Sequence, residues 1–153
     1  MPAWYDIISI EIERRIDTEQ IMASSNAINE LIEQEIARGI PSENIVIAGF
    51  SQGGAVAYQA ALACSHKLAG IIALSTYFAT KDTVDIKAVN ANLPIFIGHG
   101  SVDEIVPEVL GQQANTALRE RGYTPEYYSY PIPHSVCMEE IEDISTWLKK
   151  HLG

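Results

Sequence analysis

The hydrophobic positions of this chain alternate between short unbroken apolar runs and longer segments that carry a single apolar stripe. Residues 4–12 are rich in β-branched and aromatic side chains and predict a short strand or an apolar tether. A helix is expected next. Asp17 or Thr18 can cap it, and Ile21, Ile28, Leu31, Ile32 and Ile36 recur on one face. Arg38-Gly39-Ile40-Pro41 then supplies a cation, a residue suited to a left-handed cap and a proline stop. Residues 44–50 are apolar after Asn44, the pattern of a strand covered on both faces in a parallel sheet.

Residues 52–64 predict a helix of mostly small side chains (Gly53, Gly54, Ala55, Ala57, Ala60, Ala61, Ala63) that can approach neighbouring backbone closely. The strand pattern returns at 68–74 and 94–98, and the polar stretch 77–92 between them reads as a surface excursion. A helix over 107–121 aligns Leu110, Ala114, Ala117 and Leu118 and ends at Gly122. The tyrosine-rich segment 124–130 is more amphipathic, as an edge strand would be. A last helix over 138–152 aligns Ile141, Ile144, Leu148 and Leu152. Its acids Glu139, Glu140, Glu142 and Asp143 lie at the positive end of the dipole, and Lys149 and Lys150 at the negative end. Strands alternating with helices of crossover length imply an α/β fold, a three-layer sandwich around a mainly parallel sheet.

Composition narrows the picture. A chain of 153 residues without repeat, linker or low-complexity tract is expected to form one unit over 1–153. Hydrophobic residues at 47% and charged residues at 20% fit a packed globule rather than a disordered chain. Twenty acids against ten bases, a net charge of −10, exclude the basic face that nucleic acid needs. No run is long enough to span a membrane, and residues 1–15 lack a basic-then-apolar leader. Cys64 and Cys137 are too few for a disulfide framework, so the expected compartment is the reducing cytoplasm.

The chemistry concentrates around Gly49-Phe50-Ser51-Gln52-Gly53, a G-x-S-x-G pentapeptide between an apolar strand and a small-residue helix. That placement is what a nucleophile elbow requires: a sharp turn that projects the serine hydroxyl, with flanking glycines to avoid a clash. The helix start then aims backbone N–H groups at an oxyanion forming beside Ser51.

A serine needs an oriented base, and on this architecture an acid and then a histidine follow on loops after later strands. His134, in Pro131-Ile132-Pro133-His134-Ser135, follows the last strand. His66 and His151 read as surface residues at helix ends, and His99 as a structural hydrogen-bonding residue. Asp103 follows the strand over 94–98. Asp82 and Asp85 belong to the polar excursion, while Glu104 is not separated from Asp103 by spacing.

With these stretches in place, the chain resembles the carboxylesterase and acyl-protein thioesterase (phospholipase/carboxylesterase) family of α/β-hydrolases. The likeness is carried by Trp4-Tyr5-Asp6-Ile7, Ala48-Gly49-Phe50-Ser51-Gln52-Gly53-Gly54, His99-Gly100-x-x-Asp103-x-x-Val106-Pro107 and His134-Ser135-Val136-Cys137-x-Glu139-Glu140. It implies Ser51 as nucleophile, Asp103 as orienting acid and His134 as general base. It also implies hydrolysis of short to medium acyl esters or thioesters, with no metal or organic cofactor.

One departure bears on the site. Family members carry earlier strands and an H-G-x-G-type loop whose backbone completes the oxyanion hole, and nothing before Ser51 resembles that loop. The Gln52 backbone N–H is the oxyanion donor identifiable here. The apolar run at 45–50 would then lack a neighbouring strand. Residues 7–12 could fill the gap, or two chains could pair as a homodimer through the sheet edge. The expected explanation is a start upstream of Met1. The rival from another class is an impaired α/β-hydrolase remnant acting by association only. A flavodoxin-like binding module is disfavoured, because the first strong strand leads into Ser51 rather than a phosphate-cradling glycine pattern.

Overall fold

The computed structural model describes residues 2–152, with side chains from residue 15 onward. In chain order the elements are α1 (Pro2–Ala37), β1 (Val46–Phe50), α2 (Gln52–Leu62), β2 (Gly70–Leu74), β3 (Ile95–Gly100), α3 (Glu108–Glu120), β4 (Glu126–Tyr130) and α4 (Met138–Leu152). The four strands form one parallel sheet in the order β1-β2-β3-β4. The register sets Ala48 opposite Ile72, Ala73 opposite Ile97, and Gly98 opposite Tyr128.

Alternation along the strands feeds two apolar layers. Ile71, Ala73, Ile95 and Ile97 face the second half of α1 with α2 and α3, where Ile32, Tyr58, Leu62 and Leu118 close the larger core. Ile72 and Phe96 face α4, where they meet Trp147. The result is a three-layer α/β sandwich. The small residues of α2 are buried from Gly54 to Leu62 save Val56, so this helix lies close against the sheet, as its composition implies.

Several expectations need correction. Residues 4–12 form no strand; they lie within α1, which starts at Pro2. A helix closes its backbone hydrogen bonds internally, whereas a strand here would need a neighbour. Asp17 and Thr18 are accordingly mid-helix residues rather than caps. Leu31 points to solvent with 53% of its surface exposed, while Ile21 and Ile32 are buried.

β1 is covered less than its sequence suggests. Among the described residues it has a neighbouring strand on one side only, and Ala48 and Phe50 are exposed. The α4 layer reaches β2, β3 and β4, with Val46 and Leu74 at its margin. On α4, Ile141 and Leu152 are exposed, and the buried positions are Glu140 and Trp147. The excursion between β2 and β3 has no strand or α-helix, but it is packed: Phe78, Thr80 and Asn90 are buried. Asn90 donates to the carbonyls of Ala61, Cys64 and His66 and accepts from Leu68 N–H, which ties the excursion to the end of α2.

Candidate active site

The C-terminal ends of β1, β3 and β4 bring together the three loops that carry the candidate residues, the edge where parallel α/β sheets gather their chemistry. At the first, Ser51 sits between β1 and α2 with φ 57° and ψ −127°, a left-handed conformation costly for a residue with a side chain. The turn is held on both sides. Ser51 N–H donates to Leu74 O at 2.9 Å, and its carbonyl accepts from Gly54 N–H at 2.9 Å and from the Thr76 hydroxyl.

The glycines around it have separable reasons. A Cβ on Gly49 would lie 2.0 Å from the Gly53 carbonyl oxygen, and one on Gly54 would lie 2.3 Å from Thr76 Cγ2. A Cβ on Gly53 would meet nothing within 4 Å. The second glycine that packing demands is therefore Gly54, not the Gly53 of the pentapeptide.

The acid and histidine loops are joined backbone to backbone. Ser101 N–H donates to Tyr130 O at 2.7 Å and Val102 N–H to Ile132 O at 3.2 Å. Gly100 permits this approach, since a Cβ there would lie 2.2 Å from Ile132 O. Asp103 Oδ2 consequently meets His134 Nδ1 at 2.7 Å, with the Asp103 side chain fully buried and that of His134 14% exposed. Asp103 Oδ1 accepts from the backbone N–H groups of Ile105 (2.9 Å) and Val106 (2.8 Å). The rivals Asp82, Asp85 and Glu104 are exposed.

Burial alone would raise the Asp103 pKa. The hydrogen bonds from His134, Val106 and Ile105 outweigh it and hold the carboxyl below its ordinary value. An ionised carboxylate only accepts, so His134 Nδ1 carries the proton of their bond, and the neutral ring presents a lone pair at Nε2. His99 is fully buried and donates from Nε2 to Val106 O at 2.7 Å, which braces the same loop. It belongs to β3 itself, and α3 approaches it so closely that a Cβ on Gly111 would lie 2.4 Å from its Nδ1.

The ring of Phe50, the residue before Ser51, packs on the His134 imidazole at a centroid distance of 4.6 Å. No hydrogen bond joins Ser51 Oγ to His134 among the described residues; such contacts tighten in the substrate complex. The Gln52 N–H is the first of α2 and has no intrahelical acceptor, because the first turn of any helix lacks one.

Three site-proximal residues escape the sequence reading. Gln52 Nε2 donates to Asp17 Oδ1 at 2.8 Å and to Gln20 Oε1 at 3.2 Å. The Tyr77 hydroxyl donates to the same Asp17 carboxylate at 3.2 and 3.1 Å. The available signal was a polar pair spaced i, i+3 beside an apolar Ile21; its partners lie 35 and 60 residues away. His151, expected at the surface, packs on Trp147 at 4.6 Å, and His66 pairs with Glu33 at 2.6 Å. Among the described residues, no group of three or more His, Cys, Asp or Glu side chains is arranged to hold a metal ion. No helix among the described residues is long and apolar enough to cross a membrane.

The profile of the phospholipase/carboxylesterase family matches residues 1–152. The chain belongs to that family. Acyl-protein thioesterase 1 of Neurospora crassa is 40% identical over 162 residues, a match covering 99% of this chain and 66% of the relative. Acyl-protein thioesterase 1 of Saccharomyces cerevisiae is 35% identical over 160 residues, covering 100% of this chain and 70% of the relative. The chain thus spans about two thirds of the length of these relatives. Among solved structures, Arabidopsis thaliana SOBER1 superimposes with a TM-score of 0.79 at 31% identity, over 87% of this chain and 65% of that one. A Bacillus cereus carboxylesterase at 18% identity shares the fold with a TM-score of 0.76, over 88% of this chain and 63% of its own. The α/β-hydrolase fold expected from the sequence is the fold of this phospholipase/carboxylesterase family member.

Proposed function

We propose that the chain hydrolyses carboxylic esters or thioesters of short to medium acyl chains through a Ser51–His134–Asp103 acyl-enzyme mechanism. The observation that carries this reading is the 2.7 Å Asp103–His134 bond beside a serine held in a left-handed elbow. The thioester side of the assignment is supported by relatives named acyl-protein thioesterase 1.

In the first step Ser51 Oγ bonds to the acyl carbon and its proton passes to His134 Nε2. The carbonyl oxygen becomes an oxyanion that accepts from the Gln52 N–H at the start of α2. As the tetrahedral intermediate collapses, the bond to the leaving oxygen or sulfur breaks, and His134 Nε2–H protonates the departing atom. Water then attacks the acyl-Ser51 ester, gives its proton to His134, and the returning proton restores the serine hydroxyl. Asp103 stays ionised throughout; it fixes the ring orientation and stabilises the imidazolium.

The experiment is a turnover series on p-nitrophenyl acetate through octanoate and on a medium-chain acyl thioester. The native chain is expected to release p-nitrophenolate with a burst, and Ser51→Ala to lose it. Equal turnover by Ser51→Ala refutes the mechanism. A native chain without turnover of either ester class supports the association-only reading instead.

A further inference from the structure

The Asp17 carboxylate joins three parts of the molecule at the elbow. It lies on α1 one turn from Ile21, which is fully buried and fixes that turn of the helix against its neighbours. From there it accepts Gln52 Nε2 from the first residue of α2 and the Tyr77 hydroxyl from the exit of β2. Gln20 Oε1, one turn further along the same face, takes a second hydrogen bond from Gln52 Nε2. Both protons of the Gln52 amide nitrogen therefore have acceptors on α1.

Tyr77 is a reliable donor in this cluster. Burial first, and then the neighbouring Asp17 carboxylate, push its phenol up to about 12, so it stays protonated over any working pH. It adjoins Thr76, whose hydroxyl holds the Ser51 carbonyl. The strained elbow is thus restrained on the strand side by Leu74, on the carbonyl side by Thr76 and Gly54, and on the helix side by the Gln52 amide. A left-handed serine persists only when its surroundings over-determine it. The Gln52 clamp is the restraint nearest to the N–H that faces the oxyanion.

We propose that Asp17 is a positioning residue: through Gln52 and Tyr77 it fixes the first turn of α2, so that the Gln52 N–H stays aimed at the oxyanion formed at Ser51. The role rests on the acyl-enzyme reading above and adds a residue to it. Asp17 touches no reacting atom; it acts through Gln52.

The test compares Asp17→Ala, Asp17→Asn and Gln52→Met on a p-nitrophenyl ester and on the matching thionoester, whose sulfur fits an oxygen-sized donor site poorly. For Asp17→Ala the expectation is a fall in kcat of about tenfold with KM within about twofold, as for a misplaced group rather than a lost binding contact. The preference for the oxygen ester over the thionoester is expected to shrink by a similar factor. Asp17→Asn keeps an acceptor for Gln52 and is expected to recover kcat to within about threefold of the native chain. Gln52→Met keeps its N–H but deletes the amide, and is expected to match Asp17→Ala with losses that do not add in the double variant. If Asp17→Ala fails to fold by circular dichroism, Gln52→Met carries the test alone.

A native kcat in Gln52→Met overturns the proposal. So does a loss in Asp17→Ala that is equal for ester and thionoester. A Ser51→Ala control separates the two claims. If it remains active, the acyl-enzyme reading fails; if it is dead while Gln52→Met is unimpaired, only the positioning role of Asp17 fails.

Discussion

Glu140 is a carboxylic acid enclosed by protein, and replacing it with glutamine reports directly on that enclosure. The side chain is completely buried in the first turn of α4, and neither carboxyl oxygen makes a well-formed hydrogen bond among the described residues. It lies so close beneath β3 that a Cβ on Gly98 would fall 2.2 Å from Oε2. Burial pushes the carboxyl up from 4.5 to about 7; the Cys137 backbone N–H opposes this and the Asp143 charge adds to it. The Tyr130 hydroxyl, which also faces this region, is engaged with Asp143 at 2.7 Å. Below pH 4.5 the acid is protonated in both folded and unfolded chains and costs nothing. As pH rises towards 7 the unfolded chain releases the proton while the folded chain keeps it, and stability is lost. At about 1.4 kcal/mol per pH unit of difference, the full loss above pH 7 is roughly 3 kcal/mol. Glu140→Gln keeps the shape and removes the titration. Urea unfolding from pH 5.5 to 8 is expected to show the variant gaining on the native chain by about 2 kcal/mol across that range. A stability difference that stays flat with pH, or a variant less stable at pH 8, refutes the reasoning.

Other substitutions test the rest of the architecture. Gly49→Ala drives a Cβ into the Gly53 carbonyl and is expected to cost about 3 kcal/mol or to prevent folding, whereas Gly53→Ala enters open helical space and is expected to stabilise by up to about 1 kcal/mol; thermal unfolding of the pair checks both. Asp103→Asn removes the acceptor that fixes the His134 tautomer, and kcat for an activated ester is expected to fall by a factor on the order of 10⁴ with the fold intact by circular dichroism. His99→Phe strips the buried Val106 carbonyl of its donor and is expected to lower stability by about 1–3 kcal/mol in urea unfolding, with a parallel drop in kcat as the acid loop loosens.

The alternation of strands and helices and the parallel sheet were legible because each is written locally, whereas Asp103, not separated from Glu104 by spacing, was singled out by the family resemblance. Apolar runs such as 94–98 and the cap at Gly122 need no knowledge of distant neighbours. Order along a right-handed parallel sheet then brings the ends of β3 and β4 side by side. What stayed hidden depends on tertiary context. Glu140 reads as one of four acids favouring a helix dipole, yet its position in the α4 turn faces Gly98 rather than water. Asp17 reads as a cap because short acids favour caps, but α1 extends past it and leaves the carboxylate free to hold Gln52. Periodicity likewise places Leu31 with the buried isoleucines, while the outward turn of α1 and the free edge of β1 leave it exposed. The glycine pattern identifies the elbow but not which glycine packing requires, since the crowding at Gly54 comes from Thr76, a residue of another loop.

The central claim is that Ser51 is a nucleophile activated by His134, and active-site labelling followed by peptide mass spectrometry tests it most directly. The native chain, treated with a fluorophosphonate at neutral pH, is expected to carry one phosphonyl group on the peptide containing Ser51. Ser51→Ala is expected to carry none, and His134→Ala to react at least a hundredfold more slowly. Phosphonylation at another residue, or at Ser51 with an undiminished rate in His134→Ala, would contradict the account.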